Sequence, residues 1–331
     1  MVQYAYFLFF AIALVVVPLF LGCLCRWLMP RRWWKLAAFA CTLLIYGTVA
    51  YGTLVGYEQL EVRHVDFESS DVPEAFDGFR IALFSDAHVG TMENLHSDLF
   101  VRAIDSINAQ HPDVVLFAGD MVNLRPDEFL PFCHLLDRFD SKHGVYTVLG
   151  NHDYSIYLGL SKAKKQQQRQ RIIELENRGR TTRVLTNEHA IIRRGNDSIV
   201  IAGMENWGKV KRMPRRGDVG KTLAGLTVQT SDLKHQTSPF IVMLQHDPTC
   251  WREKILPECH AQLTLSGHTH GGQFALFGLS PVSFAYDEWN GLYTEGDRAL
   301  YVTAGLGGLI PFRLGQPGEV AIITLKVKNK K

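Results

Sequence analysis

Five short apolar segments of this chain each run directly into a cluster rich in glycine, histidine, aspartate or asparagine. The segments cover residues 80–84, 114–118, 145–149, 241–244 and 262–265. Short β-branched or apolar runs bounded by glycine are typical of buried strands. Each cluster is therefore expected on a loop at the carboxyl end of a strand, where an open α/β sheet gathers its ligands. The pattern predicts an α/β domain with a polar site at one edge of its sheet.

The clusters contain the side chains that bind transition-metal ions. In chain order they read Ser85-Asp86-Ala87-His88, Gly119-Asp120, Gly150-Asn151-His152-Asp153, His246 and Gly267-His268-Thr269-His270. Imidazole nitrogens combined with carboxylates suit Mn, Fe or Zn better than Ca. Two such ions about 3.5–4 Å apart can acidify a water and clamp the oxygens of a phosphoryl group. One cluster alone could be a helix cap or a turn, but five in series favour a two-metal site.

In this order the five elements resemble the signature of the calcineurin-like metallophosphoesterase superfamily, over about residues 80–326. Within it, Gly267–Gln273, Gly291–Tyr293 and Gly305–Arg313 look most like the bacterial membrane-anchored branch. The resemblance implies a four-layer α/β/β/α sandwich, in which two mixed sheets are flanked by helices. It also implies a metal-dependent hydrolase acting on phosphoester or pyrophosphate bonds of a cell-envelope or lipid-linked substrate.

Position by position, the resemblance assigns seven metal ligands and one catalytic pair. The first metal would be held by Asp86, His88 and His270, the second by Asn151, His246 and His268, and both by a bridging Asp120. His152 matches the family's histidine that stabilises the transition state or protonates the leaving oxygen. Asp153 would orient His152 through its other ring nitrogen. Arg313 is a candidate phosphate contact because of its charge and fork shape, with a structural ion pair as the alternative.

Residues 1–25 and 36–57 carry no charged side chain. Each stretch meets the roughly 20-residue length that a helix needs to cross a bilayer. We predict two transmembrane helices, at about residues 3–25 and 36–57, in an anchor over 1–57, then a connecting segment over 58–79 and a catalytic domain over 80–328. The first stretch lacks the basic start and cleavage site of a signal peptide, so we expect it to be retained. A buried helical hairpin in a soluble protein is the alternative.

The residues between the two stretches, Arg26–Lys35, carry four positive charges and no acid. Short basic loops stay in the cytoplasm. The sequence therefore predicts an integral protein of the inner (plasma) membrane, with its catalytic domain on the extracytoplasmic side. Its expected partners are the lipid bilayer and a phosphorylated or lipid-linked small substrate, while the oligomeric state stays open.

A net charge of +2 implies no large surface of one sign, so no nucleic acid is expected as a partner. The alternative functions are a nuclease-type phosphodiesterase and a catalytically silent scaffold with the same fold. The segment Lys209–Arg216 is locally basic and includes Lys211 and Arg212. It is either a solvated surface or a site of attraction for anionic headgroups or a phosphorylated substrate.

The spacing of apolar residues predicts the remaining elements. Helices are expected over 95–109, 126–139 and 162–178, and strands over 58–67, 184–193, 199–203, 300–304 and 320–327. The last two strands alternate in the manner of strands at a sheet edge. Strand, helix, strand, helix, strand from residue 80 onward is the βαβ pattern.

Overall fold

The computed structural model describes residues 2–30, 32–93, 96–226 and 239–328, and within these ranges the strands form two six-stranded sheets. The strands are β1 Leu60–Ser69, β2 Arg80–Phe84, β3 Val114–Phe117, β4 Val145–Thr147, β5 Thr182–Val184, β6 Glu188–Arg194, β7 Asp197–Gly203, β8 Phe240–Leu244, β9 Leu263–Ser266, β10 Gly291–Glu295, β11 Arg298–Val302 and β12 Gly318–Val327. All five apolar segments that precede the polar clusters are strands, as predicted.

Both sheets are mixed. The first has the order β1-β12-β2-β3-β4-β5, with only the β12–β2 pair antiparallel. The second has the order β10-β11-β9-β8-β7-β6, and its antiparallel pairs are β10–β11 and β6–β7. The parallel runs β2-β3-β4 and β8-β9 each gather their carboxyl ends at one edge of their sheet.

The two sheets pack face to face, and helices cover both outer faces. Apolar side chains such as Leu116 and Val242 fill the space between the sheets. Helices α3 (Asp98–Asn108) and α4 (Lys162–Glu176) pack on the outer face of the first sheet. The second sheet is covered by Trp251–Ile255, a segment with π-type hydrogen bonds, and its neighbours. The predicted four-layer α/β/β/α sandwich is confirmed.

Helix α3 forms where the sequence indicated a helix, because Leu99, Ala103, Ile104 and Ile107 share one buried face. Leu95, with which the predicted helix began, lies outside the described residues. The shorter helical segments are Gly56–Glu58, Glu74–Phe76, Val89–Met92, Pro126–Phe129, Cys133–Arg138, His152–Tyr154, Val219–Thr222, Leu256–Glu258, His270–Gly272 and Pro281–Phe284.

Three predicted elements differ in the structure. Residues 126–139 form two 3₁₀ helices instead of one helix, because Pro131 lacks the N–H that a continuous helix needs. The predicted strand 184–193 is divided between β5 and β6, in different sheets, at Asn187, whose φ of 61° ends the extended conformation. β11 and β12 lie inside their sheets and not at an edge.

Two apolar helices precede the domain. Helix α1 consists of Val2–Ala11, the π-type segment Ile12–Val16 and Val17–Leu28, and helix α2 spans Trp34–Leu54. Phe7–Leu28 and Trp34–Glu58 are long and apolar enough to cross a membrane, so both are candidate membrane spans. Residues 58–79, expected to connect anchor and domain, contain β1, which pairs with β12 along its whole length.

Candidate metal centre

All seven predicted metal ligands lie on loops that follow the carboxyl ends of strands. Asp86 and His88 follow β2, Asp120 follows β3, Asn151 follows β4, His246 follows β8, and His268 and His270 follow β9. The ligand-bearing edges of the two sheets meet, so the main-chain N–H of His268 donates to Asp86 Oδ2 over 2.9 Å across 182 residues of sequence. The structure brings the predicted ligands of both sheets into one site.

The donor atoms form three overlapping groups, and within each group all the atoms lie within 4.8 Å of one another. The groups are Asp86, His88 and His270; His88, Asp120 and His152; and Asp120, His246 and His268. Asp120 belongs to two of them. Its Oδ2 lies 3.2 Å from Nε2 of His246 and 3.7 Å from Nε2 of His88. Asp120 therefore stands between the two sides of the site, where a bridging carboxylate would be needed.

The amide of Asn151 is held in one orientation. Its Nδ2 donates to the hydroxyl of Tyr157 over 2.8 Å, and its Oδ1 lies 3.1 Å from Nε2 of His246. An amide has one oxygen acceptor and one nitrogen donor group, so fixing the nitrogen on Tyr157 fixes where the oxygen points. The oxygen of Asn151 therefore faces the group formed by Asp120, His246 and His268, as expected for a ligand of the second metal.

Two of the predicted ligand histidines are oriented by contacts at the ring nitrogen that faces away from the site. Nδ1 of His246 lies 2.7 Å from the carbonyl oxygen of Ala118, and Nδ1 of His88 lies 3.0 Å from Asn123 Oδ1. The Asn123 amide nitrogen is engaged with Thr91 Oγ1 at 3.0 Å, which turns its oxygen toward His88. Both acceptors favour a proton on Nδ1, which leaves Nε2 available to a metal ion.

Three donor atoms of the site are buried without a hydrogen-bond partner among the described residues. They are Asp86 Oδ1, His88 Nε2 and His270 Nδ1. An unpaired buried polar atom is unfavourable by about 1–3 kcal/mol, and a cluster of them calls for a binding partner. Nitrogen and carboxylate donors at short mutual distances fit a transition-metal ion. The residues present therefore fit the metal centre that the sequence predicts.

The main chain adopts left-handed conformations at most of the ligands. The φ angles are 52° at Asp86, 45° at His88, 61° at Asp120, 75° at His268 and 55° at His270. Non-glycine residues rarely adopt such angles, and clusters of them are characteristic of functional sites. The glycines of the Gly-Asp and Gly-Asn pairs allow the two loops to lie close together, because a Cβ on Gly150 would collide with the Asp120 carboxylate.

The charges of the two sides of the site differ. Burial, together with nearby Arg313 and against the opposing effect of Asp86, lowers the pKa of His270 to about 4. Burial also lowers the pKa of His88 well below its usual value. Burial acts in the same direction on His246, but the Asp120 carboxylate outweighs it and raises the pKa of His246 to about 10. His88 and His270 are therefore neutral, whereas His246 carries a proton that a metal ion would have to displace.

The predicted contact between Asp153 and His152 is wrong. The Asp153 carboxylate accepts main-chain N–H bonds from Gly150 over 2.8 Å and from Asp120 over 2.9 Å, and further ones from Met121 and Val122. Nδ1 of His152 instead lies 2.5 Å from the carbonyl oxygen of Asn123. Asp153 thus ties the Asp120 loop to the Asn151 loop, and a main-chain carbonyl orients His152.

The predicted role of Arg313 is also wrong. Its side chain is fully buried, and its guanidinium donates to main-chain carbonyl oxygens of the surrounding loops. The acceptors are His270, Ala304, Gly305, Gly307, Gln316 and Pro317. No acidic residue forms an ion pair with it among the residues that the structure describes. With its donors used in this way, Arg313 braces the loops behind the site and cannot reach a phosphate.

Several residues at the site were not found from the sequence. Tyr157 contacts Asn151, and the hydroxyl of Tyr286 lies 2.9 Å from Nε2 of His268. Asn123 orients both His88 and His152. A polar residue three positions after Asp120, within an otherwise apolar run, was the signal that could have indicated Asn123. No local pattern distinguishes the two tyrosines.

Arg212 is adjacent in sequence to Met213, whose sulfur lies 3.9 Å from the hydroxyl of Tyr157. Burial raises the pKa of Tyr157 and of Tyr286 to about 12, and the nearby Arg212 guanidinium offsets part of both shifts. The side chain of Arg212 is exposed. Within the described residues it has no hydrogen-bond or ion-pair partner, whereas Lys209 pairs with Glu253.

Fold and site together define a member of a known class of metal-binding proteins. Residues 79–272, more than half of the chain, match the family model of the calcineurin-like phosphoesterases. The chain belongs to the calcineurin-like phosphoesterase family, and the resemblance seen in the sequence motifs is confirmed.

Individual relatives include both bacterial and vertebrate proteins. An uncharacterised metallophosphoesterase of Campylobacter jejuni is 30% identical over 81% of this chain and 64% of its own length. A transmembrane protein with a metallophosphoesterase domain from Danio rerio is 29% identical over 86% of this chain and 62% of its own. YkuE of Bacillus subtilis is 28% identical over 88% of this chain and 95% of its own. The chain thus spans less than two thirds of the first two relatives.

Proposed function

We propose that this protein is a membrane-anchored phosphoesterase that uses two divalent metal ions to hydrolyse phosphoester or pyrophosphate bonds. The observation that carries the proposal is the position of Asp120, whose carboxylate belongs to donor groups on both sides of one buried site. A shared carboxylate is the feature that separates a two-metal hydrolase from two independent metal sites. Family membership supports the same class of reaction.

The proposed division of the ligands follows two of the three donor groups, with Asn151 added to the second. Asp86, His88 and His270 would hold the first ion, Asn151, His246 and His268 the second, and Asp120 both. The mixture of imidazole, amide and carboxylate donors suits Mn, Fe or Zn. When bound, the two ions would acidify an attacking water and offset the charge of the phosphoryl oxygens.

His152 would supply the proton for the leaving group. With Nδ1 directed at the Asn123 carbonyl oxygen, its Nε2 is free for the substrate. His152 is partly exposed, whereas His88 and His246 are fully buried, so it can reach a bound ester. Positioned proton transfer of this kind contributes about 10²–10⁴-fold to a rate. Asp153 would act on turnover only through the loops that it joins.

Arg212 replaces Arg313 as the proposed contact for the substrate phosphate. It is exposed next to Met213, which contacts the hydroxyl of Tyr157, and its charge lowers the pKa of Tyr157 and of Tyr286 against the effect of burial. Its guanidinium has no competing partner among the described residues. A guanidinium matches the geometry of a phosphate oxygen pair and is easily freed from water. An exposed guanidinium in this segment would be accessible to the phosphate of an incoming substrate.

We further propose that the substrate is lipid-linked and lies at the extracytoplasmic surface. Two candidate spans lead directly into the domain, and the basic loop between them favours a cytoplasmic position for that loop. The domain is therefore held beside the membrane, where a headgroup phosphate is at high local concentration.

The substrate class can be tested with the full chain in proteoliposomes and Mn²⁺. A long-chain isoprenyl diphosphate in the vesicles is compared with a short-chain, water-soluble analogue that has the same reacting group. We expect kcat/KM to be higher for the embedded substrate. Equal values would remove the lipid-linked assignment, and preferential, salt-sensitive cleavage of a DNA oligonucleotide would favour the nuclease alternative.

A further inference from the structure

An uncharged segment follows the last predicted metal ligand and projects large apolar side chains into solvent. From Gly271 to Tyr286 the sequence has no charged residue. After the second span, eight large apolar side chains are exposed among the described residues: Leu130, Ile191, Val210, Leu276, Phe277, Leu279, Phe284 and Leu292. Four of them lie within residues 276–284, which we term the apolar loop. Phe277 and Phe284 are 94% and 95% exposed.

The apolar loop has a defined conformation. Leu276 and Leu279 exchange main-chain hydrogen bonds of 2.9 and 3.0 Å across a tight turn, and Gly278 in that turn has a φ of 77°. A 3₁₀ helix over Pro281–Phe284 follows directly. The fold therefore holds the aromatic side chains outward. A cluster of exposed apolar side chains of this kind marks a surface that contacts a membrane or another protein.

The apolar loop is joined to the anchor by a continuous set of contacts. Ala275 N–H donates to the Leu314 carbonyl oxygen over 2.8 Å, and Arg313 N–H donates to the carbonyl oxygen of Gly52 in α2 over 3.0 Å. The ring of Phe312 packs on Phe9 of α1 with centroids 5.1 Å apart. Phe9 lies close to the start of the span Phe7–Leu28. The loop is therefore held beside the domain-facing ends of both spans.

Both ends of the segment contact the metal centre. It begins directly after His270, and it ends at Tyr286, whose hydroxyl lies 2.9 Å from His268 Nε2. Thr269 Oγ1 also donates to the carbonyl oxygen of Trp289, which closes the base of the segment. The apolar loop is thus attached at its two ends to the metal centre and through Ala275 to the segment that contacts the membrane anchor.

We propose that the apolar loop inserts into the same bilayer that holds the two helices and sets the opening of the metal centre against the lipid headgroups. The proposal rests on the membrane anchoring proposed above and does not depend on which bond is hydrolysed. Continuity with the candidate spans favours lipid over a second protein as the occupant. Aromatic and leucine side chains without charge are typical of segments that lie in the membrane interface.

The insertion can be measured with Phe277→Trp in the full chain, reconstituted in vesicles that contain lipids brominated along their acyl chains. Ile191→Trp is the matched control, since Ile191 is exposed on β6, at the opposite edge of its sheet from β10. The fluorescence of the introduced tryptophan is the difference between the variant and the unsubstituted chain. We expect brominated lipid to lower this fluorescence at least about twofold at position 277. The fluorescence added at position 191 should be unquenched.

The functional consequence is tested with the double variant Phe277→Ser and Phe284→Ser. Its kcat/KM should fall at least about tenfold for a vesicle-embedded diphosphate and stay within twofold for a water-soluble one.

The insertion of the apolar loop and the proposed phosphoesterase function can be disproved separately. Absent quenching at position 277 in a chain that remains in the vesicles overturns the insertion, whereas quenching without any hydrolysis overturns the proposed function. A third outcome combines no quenching at position 277 with an oligomer that dissociates in the double variant. It would show that a second copy of the chain covers the apolar loop, and it would overturn the proposal.

Discussion

The main-chain amide of Arg313 donates a 3.0 Å hydrogen bond to the carbonyl oxygen of Gly52 in the second apolar helix. The same residue uses its side chain to hold six loop carbonyl groups behind the metal centre, the one at His270 included. Anchor and site are therefore joined through one buried arginine. Gly52 itself has no room for a side chain, because a Cβ there would overlap the ring of Phe312.

Replacing Arg313 by methionine should lower the free energy of unfolding by more than about 3 kcal/mol, because several buried carbonyl groups lose their donor together. Denaturation of the full chain in detergent measures the change. Arg180→Met is the control, since Arg180 is 80% exposed and contacts only a surface carboxylate; its effect should stay within about 0.5 kcal/mol. An Arg313→Met protein of unchanged stability, but with a raised KM, would restore the phosphate-clamp role.

His152→Asn should lower kcat by about 10²–10⁴-fold while the bound metal content stays the same, because His152 is proposed to move a proton and not to hold a metal. Metal analysis and kinetics on the same preparation separate the two effects. His189→Asn is a suitable control, since Nδ1 of His189 also contacts a main-chain carbonyl, that of Thr222, at 2.8 Å. Loss of metal from the His152 variant would make this residue a ligand instead.

Metal binding should become tighter as the pH rises. The Asp120 carboxylate raises the pKa of His246 to about 10, so the metal-free site holds a proton there at neutral pH. A metal ion needs the unprotonated nitrogen, and its apparent affinity should therefore rise up to about tenfold per pH unit between about pH 7 and pH 10. Calorimetric titration in two buffers of different ionisation enthalpy should report about one proton released. No proton release at pH 7 would contradict this assignment.

Arg212→Ala should reduce kcat/KM by about tenfold or more, which corresponds to about 1.4 kcal/mol of lost binding to the phosphate. Inhibition by inorganic phosphate should weaken in parallel, a change that a purely structural role would not produce. Lys211→Ala removes the same charge from the adjacent position and should change both quantities less than twofold. Equal effects of the two substitutions would show that Arg212 acts only through its positive charge at the surface and makes no specific contact with the phosphate.

The strands and the convergence of the seven candidate ligands could be predicted because their signals are local. A short apolar run followed by glycine indicates where a strand ends, and parallel strands place those ends together. Asp86 and His268 could thus be expected at one site although 182 residues separate them. Helix α3 was predictable for a similar reason, since its apolar face is visible in the spacing of its residues.

The features that could not be predicted depend on contacts between loops. A buried arginine such as Arg313 looks like a surface cation until the carbonyl groups of residues 304–317 surround it. Asp153 adjoins His152 in sequence, yet its carboxylate is used by the main chain of another loop. The position of β12 inside its sheet follows from pairing with β1, which no pattern within β12 itself encodes.

A two-metal centre that shares Asp120 should be visible in both metal content and hydrolysis, measured together in the unsubstituted chain and in Asp120→Asn. With Mn²⁺ and a chromogenic phosphodiester, we predict about two metal ions per chain and metal-dependent hydrolysis for the unsubstituted protein. Asp120→Asn should bind fewer ions and lose more than about 100-fold in kcat. An Asp120→Asn protein that keeps two ions and full activity would show that Asp120 does not bridge two metals.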